Sequence, residues 1–133
     1  MAEIEVNFNI ESETTVRERL SKGYRARRNF LVAELLSMIV RSTPVKDGYA
    51  RGGWYVTTGR AGTSAPRAPD KDGGLTILAG IMALRGASPF KDVFINNDVP
   101  YIEDLENGSS GQAPEGMVRV SLSAFKSMHG DVQ

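Results

Sequence analysis

Residues 13–41, ETTVRERLSKGYRARRNFLVAELLSMIVR, decide the fold, because they form the longest stretch of helical periodicity in the chain. Apolar side chains recur at the spacing of one helix face. They become denser in the second half, so we expect that half to be buried. The helix should end before Thr43-Pro44, since a residue preceding proline disfavours helical geometry. The apolar stripe comprises Val16, Leu20, Tyr24, Leu31, Leu35, Met38 and Ile39.

Shorter segments around this helix have the pattern of strands. Apolar and polar residues alternate over residues 4–10, as in a strand with one buried face. Residues 54–58 and 91–97 are rich in strand-forming side chains. The chain is therefore predicted to be α+β, with a long N-terminal helix packed against a small, twisted, mostly antiparallel sheet and one or two short helices.

Two segments are compatible with more than one structure. Residues 75–84 fit a short helix, with a pair of strands as the alternative. Residues 118–125 fit a last helix or a strand equally well. Between them, Asp98 should cap a short helix that has Pro100 in its first turn and stops at Asn107-Gly108.

The whole chain, residues 1–133, is long enough for one domain with a hydrophobic core. Residues 59–74 are rich in glycine, alanine, proline, serine and charged residues. A connection of this length is unusual in a compact domain. We therefore expect a flexible loop or an arm that orders on a partner.

The composition argues against several classes of function. The chain has no cysteine and one histidine, His129, which excludes thiolate metal sites and disfavours a catalytic triad. It has no glycine motif for binding phosphate. Glu103 and Glu106 could share a helix face as an acid/base pair, but without a nucleophile a solvated acidic face is favoured. We therefore expect no enzyme activity, no cofactor and no metal, and no apolar run is long enough for a membrane span.

Charge is segregated along the chain, although the formal net charge is zero. Residues 14–60 carry ten basic and three acidic side chains, and residues 92–133 carry two basic and seven acidic ones. Two interpretations of this segregation are open: the two charged segments are ordinary solvated faces, or they are surfaces by which one copy of the chain meets the next. A third interpretation is that the basic helix segment 17–28 binds DNA phosphates in a salt-dependent way.

Trp54 follows a glycine pair, Gly52-Gly53, at the start of a predicted strand. The pair is expected to form a hinge or bulge. The tryptophan could anchor the core or serve as an interface hot spot, and the core is favoured.

Three segments of the chain together resemble one protein family. Residues 44–54, PVKDGYARGGW, resemble the pattern P-V-D-T-G-x-L-R-x-S-W, with departures at Lys46 and Tyr49. Residues 94–109, FINNDVPYIEDLENGS, resemble I-x-N-x-x-x-Y-A-x-x-L-E-x-G-x-S. Residues 112–119, QAPEGMVR, resemble Q-A-P-x-G-M-V-R. In this order the segments are similar to the tail-completion, or head–tail joining, proteins of long-tailed bacteriophages.

The resemblance implies a structural virion protein at the neck or the top of the tail, assembled in the host cytoplasm. Its expected partners are further copies of itself in a ring, which six-fold tail symmetry suggests is a hexamer. Adjacent head-completion or connector and tail-tube or tail-terminator proteins would flank the ring, with transient contact to DNA in the lumen and none to a membrane. The implied subunit-interface residues are Arg25, Arg27, Arg28, Arg51, Trp54, Tyr101, Glu103, Glu106, Gln112 and Arg119.

Residues 101–119 are therefore interpreted as one half of a contact between subunits. Their carboxylates would pair with basic residues of a neighbour. On this basis Glu106→Lys or Arg119→Glu is expected to impair assembly more than folding.

Overall fold

The computed structural model of the protein describes residues 13–62 and 68–130. The fold is mixed α+β, as predicted, with a long N-terminal helix, a two-stranded antiparallel sheet and short helices. No helix within these ranges is both long and apolar enough to cross a membrane. The elements are α1 (Glu13–Ser42), α2 (Tyr49–Gly52), β1 (Trp54–Thr58), α3 (Gly74–Leu84), β2 (Val93–Asn97), α4 (Ile102–Glu106) and α5 (Val118–His129).

Helix α1 has 30 residues and is about 45 Å long. The buried residues of α1 lie in its second half, as predicted, whereas Leu20 in the first half is 59% exposed. Phe30, which was expected in the buried half, is 64% exposed. The buried face is broader than the predicted stripe, because α3 and α5 both pack against α1. Leu36 is fully buried, and so is Val40, which was not predicted in the core, whereas Met38 is only half-buried.

Strands β1 and β2 form an antiparallel pair in which Trp54 lies opposite Asn97 and Thr58 lies opposite Val93. Both strands are where the sequence predicted them. A two-stranded sheet is marginally stable by itself, so it depends on the helix packed against it. Helix α3 packs closely against both α1 and β1 at Gly80, where a Cβ atom would lie 2.3 Å from Leu36 Cδ2 and 3.2 Å from Val56 Cγ2.

One core cluster joins the helices, the sheet and the loop before α5. The half-buried side chains of Ile102 and Leu105 connect α4 to this cluster. The core therefore extends to the segments that resemble the phage family. Its buried members are Leu36, Ile39, Val40, Trp54, Val56, Leu84, Ala113 and Met117.

Both ambiguous segments are helices. Residues 75–84 lie in α3, and residues 118–125 lie in α5. Ser121 and Phe125 are buried at helical spacing in α5, whereas Val120, which a strand would bury, is 43% exposed. The helix therefore buries Phe125 and leaves Val120 exposed to solvent.

The predicted cap of α4 by Asp98 is wrong. The carboxylate of Asp98 instead accepts a hydrogen bond from the hydroxyl of Tyr55 on β1. Helix α4 begins later, at Ile102, whose N–H donates to the carbonyl of Val99 at 3.0 Å. The predicted stop is confirmed, because Gly108 follows α4 with a φ of 93°.

Two predictions fall wholly or partly outside the described residues. The strand over residues 4–10 lies outside them, as do residues 63–67 of the predicted arm. The described ends of the arm are bonded to the rest of the chain. Gly62 donates its N–H to Asn96 Oδ1 at 3.1 Å, and Asp70 donates its N–H to the carbonyl of Gly48 at 2.9 Å.

Candidate functional site

The three segments that resemble the phage family meet in one continuous surface. Asn97 joins the first two, because its Nδ2 donates to the carbonyl of Ala50 at 3.0 Å. Gln112 joins the first to the third, and Glu106 joins the second to the third. We call residues 44–54, 94–109 and 112–119 together the motif surface.

Gln112 fixes the loop before α5 against the loop after α1. Its Oε1 accepts the N–H of Val45 at 2.9 Å, and its Nε2 donates to the carbonyl of the same residue at 3.1 Å. The side-chain amide thus satisfies both backbone groups of Val45, much as a neighbouring strand would. The exposed Gln112 therefore positions two loops of its own chain.

Glu106, the last residue of α4, caps the first turn of α5. Its carboxylate accepts the N–H groups of Met117 at 2.8 Å, Val118 at 2.8 Å and Arg119 at 3.0 Å. The first N–H groups of a helix have no partner within the helix, and its N-terminus attracts negative charge. Gly116 permits this approach, since a Cβ there would lie 2.5 Å from the Glu106 carbonyl oxygen.

The environment of Glu106 favours its charged form. Burial alone would raise the pKa of this carboxyl group, but the three backbone N–H donors and the charge of Arg119 outweigh it. The net effect lowers the pKa of Glu106 below its ordinary value of 4.5. The carboxylate is therefore ionised and bonded at neutral pH.

Arg119 also bonds to Glu106. Its Nη2 donates to the Glu106 carbonyl at 2.7 Å, and its Nε lies 3.4 Å from Oε2. The prediction that Glu106 lies on a solvated acidic face is therefore wrong, whereas its place in a contact between subunits stays a prediction. Both residues have partners within the chain, whereas Glu103 is exposed. A substitution at Glu106 is now expected to act on folding.

Arg51 stabilises the end of α1. Its Nη2 donates to the carbonyls of Thr43 at 2.8 Å and Arg41 at 3.1 Å, and its Nη1 donates to the carbonyl of Lys71 at 2.8 Å. The last carbonyls of a helix need such donors, and a cation complements their negative potential. Arg51 therefore links α1 to the segment that leads into α3.

Trp54 lies in the core, as favoured from the sequence, and is 5% exposed. Its Nε1 donates to Thr43 Oγ1 at 2.8 Å, and that hydroxyl donates to the carbonyl of Ile39 at 2.7 Å. The glycines before it are sites of close packing. A Cβ at Gly52 would lie 2.4 Å from the Ala68 carbonyl oxygen.

Tyr101 lies beside a surface depression of about 480 Å³. Its ring is 42% exposed, and burial, followed by the nearby Asp47 and Tyr49, raises the pKa of its hydroxyl. The depression offers apolar contact and hydrogen bonds, which suit a protein partner. It is lined by Pro44, Val45, Lys46, Asp47, Ala50, Tyr101, Leu105, Ser110 and Gln112. Among the described residues no cluster of acidic or histidine side chains could hold a metal ion.

Two of the predicted interface arginines on α1 bond to the turn after α3 and not to the motif surface. Arg25 Nε donates to the carbonyl of Ala87 at 3.1 Å, and Arg28 donates to the carbonyls of Ala87 and Ser88. These two arginines hold the turn that follows α3, whereas Arg27 is exposed. The predicted interface set is thus divided into a group at the motif surface and a group on α1.

This arrangement predicts different effects at adjacent arginines. Arg28→Ala should lower the free energy of unfolding by about 1 kcal/mol, because the Ser88 carbonyl loses its arginine donor and the Ala87 carbonyl keeps only Arg25. Arg27→Ala should change it by less than about 0.5 kcal/mol, since the side chain is exposed. Thermal unfolding of the two variants, followed by circular dichroism, measures the difference. Equal transition temperatures would contradict the role of Arg28.

The sequence analysis missed an exposed apolar surface on α3. Leu75 is 75% exposed, Leu78 is 53% exposed and Met82 is 50% exposed. A signal was present, because α3 contains no charged residue and is apolar on every side. Such a helix is normally buried all round.

No protein-family model, curated protein or solved structure matches the chain. The likeness to the phage family therefore depends on the three segments of the motif surface.

Proposed function

We propose that the chain is a structural subunit of a tailed phage. It would form a ring at the neck or the top of the tail, complete the tail and join it to the head. The single observation that carries the proposal is the convergence of the three family-like segments in one surface. Their mutual bonds through Asn97, Gln112 and Glu106 give a physical reason for the three motifs to occur together.

Two further features support an assembly role. The α+β fold with a long N-terminal helix agrees with the one that the resemblance implies. The chain also exposes many large apolar side chains, including Tyr101 in the motif surface and Leu75 on α3. Contiguous apolar patches of this kind are typical of protein–protein contacts.

The motif surface is the proposed contact with a flanking neck or tail protein. Tyr101 gives it an aromatic anchor beside a depression, and aromatic side chains contribute strongly to interfaces. Exposed Glu103 and Asp104 at its edge add negative charge that would steer a basic partner. A minor tail component is the alternative within the same class.

DNA binding by helix segment 17–28 is less favoured. Arg25 and Arg28 are bonded to the turn after α3, so they are not free to contact phosphates without breaking those bonds. A basic surface for DNA normally needs several exposed cations on one face.

Mass photometry and negative-stain images of the purified chain test the proposal. A ring is expected, and added phage tails should carry it at one end. Tyr101→Ser should weaken the contact with tails, whereas Met128→Ser, at a 60% exposed position on α5, should not. A monomer at every concentration, with and without tails, would overturn the proposal.

A further inference from the structure

Helix α3 carries an apolar stripe that faces away from its own core. Leu75, Leu78 and Met82 follow the spacing i, i+3 and i+7, which places them on one helix face. Gly80 and Leu84 lie on the other side and pack inward. We call the exposed set the α3 stripe. A single exposed leucine needs no explanation, but a continuous stripe marks a contact surface.

Helix α1 carries a second exposed stripe in its first half. Val16 is 45% exposed, Leu20 is 59% exposed and Tyr24 is 62% exposed, at the spacing i, i+4 and i+8. We call this set the α1 stripe. It is about 12 Å long and the α3 stripe is about 10 Å long, so the two match in length.

We propose that the α1 stripe of one copy packs against the α3 stripe of a second copy, with the two helices antiparallel. Because the stripes are different surfaces, each copy keeps one of each free after the first contact. Such a heterologous contact repeats from copy to copy and forms a ring when the rotation closes. The inference rests on the proposed function, since it names the two surfaces that would meet in the ring.

Charges at the ends of the stripes select the antiparallel orientation. Asp72 stands three positions before Leu75, and Arg85 stands three positions after Met82. On α1, Arg27 stands three positions after Tyr24.

Antiparallel packing brings Asp72 next to Arg27 of the second copy. Parallel packing would instead place Arg85 by Arg27, which carry like charges. Like charges that lie opposite each other disfavour the parallel orientation. The charges at the ends of the two stripes therefore specify the antiparallel one.

Cysteine cross-linking is well suited to this contact, because the chain has no cysteine of its own. Leu20→Cys and Leu78→Cys are both at exposed positions, so neither should disturb the fold. Oxidation of the mixed variants should give a disulfide-linked dimer, which either variant alone should not give in comparable yield. Lys22→Cys mixed with Leu78→Cys is the matched control, since Lys22 is exposed on the far side of α1 from Leu20.

A second pair of mixtures measures the orientation. Val16→Cys with Met82→Cys should cross-link in the antiparallel arrangement, whereas Val16→Cys with Leu75→Cys should not. The reverse result would establish a parallel contact and overturn the proposed orientation. Leu78→Asp should raise the concentration needed for assembly by about tenfold or more, because it places a charge in the centre of the contact.

The outcomes separate this inference from the proposed function. Rings without the Leu20–Leu78 cross-link would overturn the inference and leave the phage role standing. Cross-linked copies that form neither a ring nor a complex with tails would support the contact and overturn the phage role. A chain that stays monomeric and uncross-linked would overturn both.

Discussion

Replacing Glu106 with glutamine should lower the free energy of unfolding by about 2 kcal/mol, with a fall in Tm of about 6–10 °C. The three N–H groups at the start of α5 would lose a charged acceptor. In addition, an NH2 group would replace one carboxylate oxygen, and this group cannot accept hydrogen bonds from the backbone N–H groups. Chemical denaturation followed by circular dichroism measures the loss.

Glu103→Gln is the matched control on the same short helix. Its side chain is exposed, so its effect should stay below about 0.5 kcal/mol. Equal stability of the Glu106→Gln variant and the native chain, together with lost assembly, would instead restore the interface role first expected for this carboxylate.

The contribution of Glu106 should also depend on pH. Its pKa in the folded protein lies below the ordinary value of 4.5, so folding favours the charged form. The stabilisation is therefore fully present above about pH 4.5 and is lost as pH falls through the folded pKa. The difference in stability between the native chain and Glu106→Gln should be largest at neutral pH and should shrink in acid. A difference that does not change with pH would show that the charge is not responsible.

Trp54→Ala should be the most damaging single change, with a loss of about 4 kcal/mol. It leaves a cavity among Leu36, Val40 and Met117, which are fully buried members of the same core cluster. It also removes the indole donor from Thr43. A loss of this size is a large share of the stability of a typical domain, so reduced soluble yield is expected.

Trp54→Phe separates packing from hydrogen bonding. Most of the ring volume is kept, so the loss should be about 1–2 kcal/mol, mainly from the missing bond to Thr43. Tyr49→Ala is the control, since Tyr49 is 50% exposed and should cost less than about 0.5 kcal/mol. Urea unfolding of the three variants gives the ranking. A Trp54→Ala variant as stable as the native chain would contradict the core assignment.

The long helix and both described strands could be read from the sequence, because burial of one face imposes a period on local residues. The same reasoning could not find Val40 in the core. It predicts a single buried stripe, whereas α1 is contacted by both α3 and α5. The prediction that Asp98 caps α4 was wrong for a related reason. Its sequence position suits a cap, but the fold brings the Tyr55 hydroxyl to it.

The candidate site could also be predicted from the sequence only in part. The three family-like segments were recognised as motifs, but their meeting in one surface depends on bonds between distant residues. Val45 and Gln112 are 67 positions apart, and Ala50 and Asn97 are 47 apart. No local pattern could have shown that Glu106 and Arg119 form a hydrogen bond and an ion pair with each other within one chain.

The sequence by itself determined α1, the two described strands and the α+β class, because backbone geometry and periodic burial act over a few residues. It left α3 and α5 open between helix and strand. Tertiary structure alone decided which polar side chains are free. It bound Arg25, Arg28, Arg51 and Glu106 to backbone groups, since buried or terminal backbone groups must find partners wherever the chain passes. It also left the α3 stripe uncovered by the described residues, which is why the proposed ring contact lies on α3.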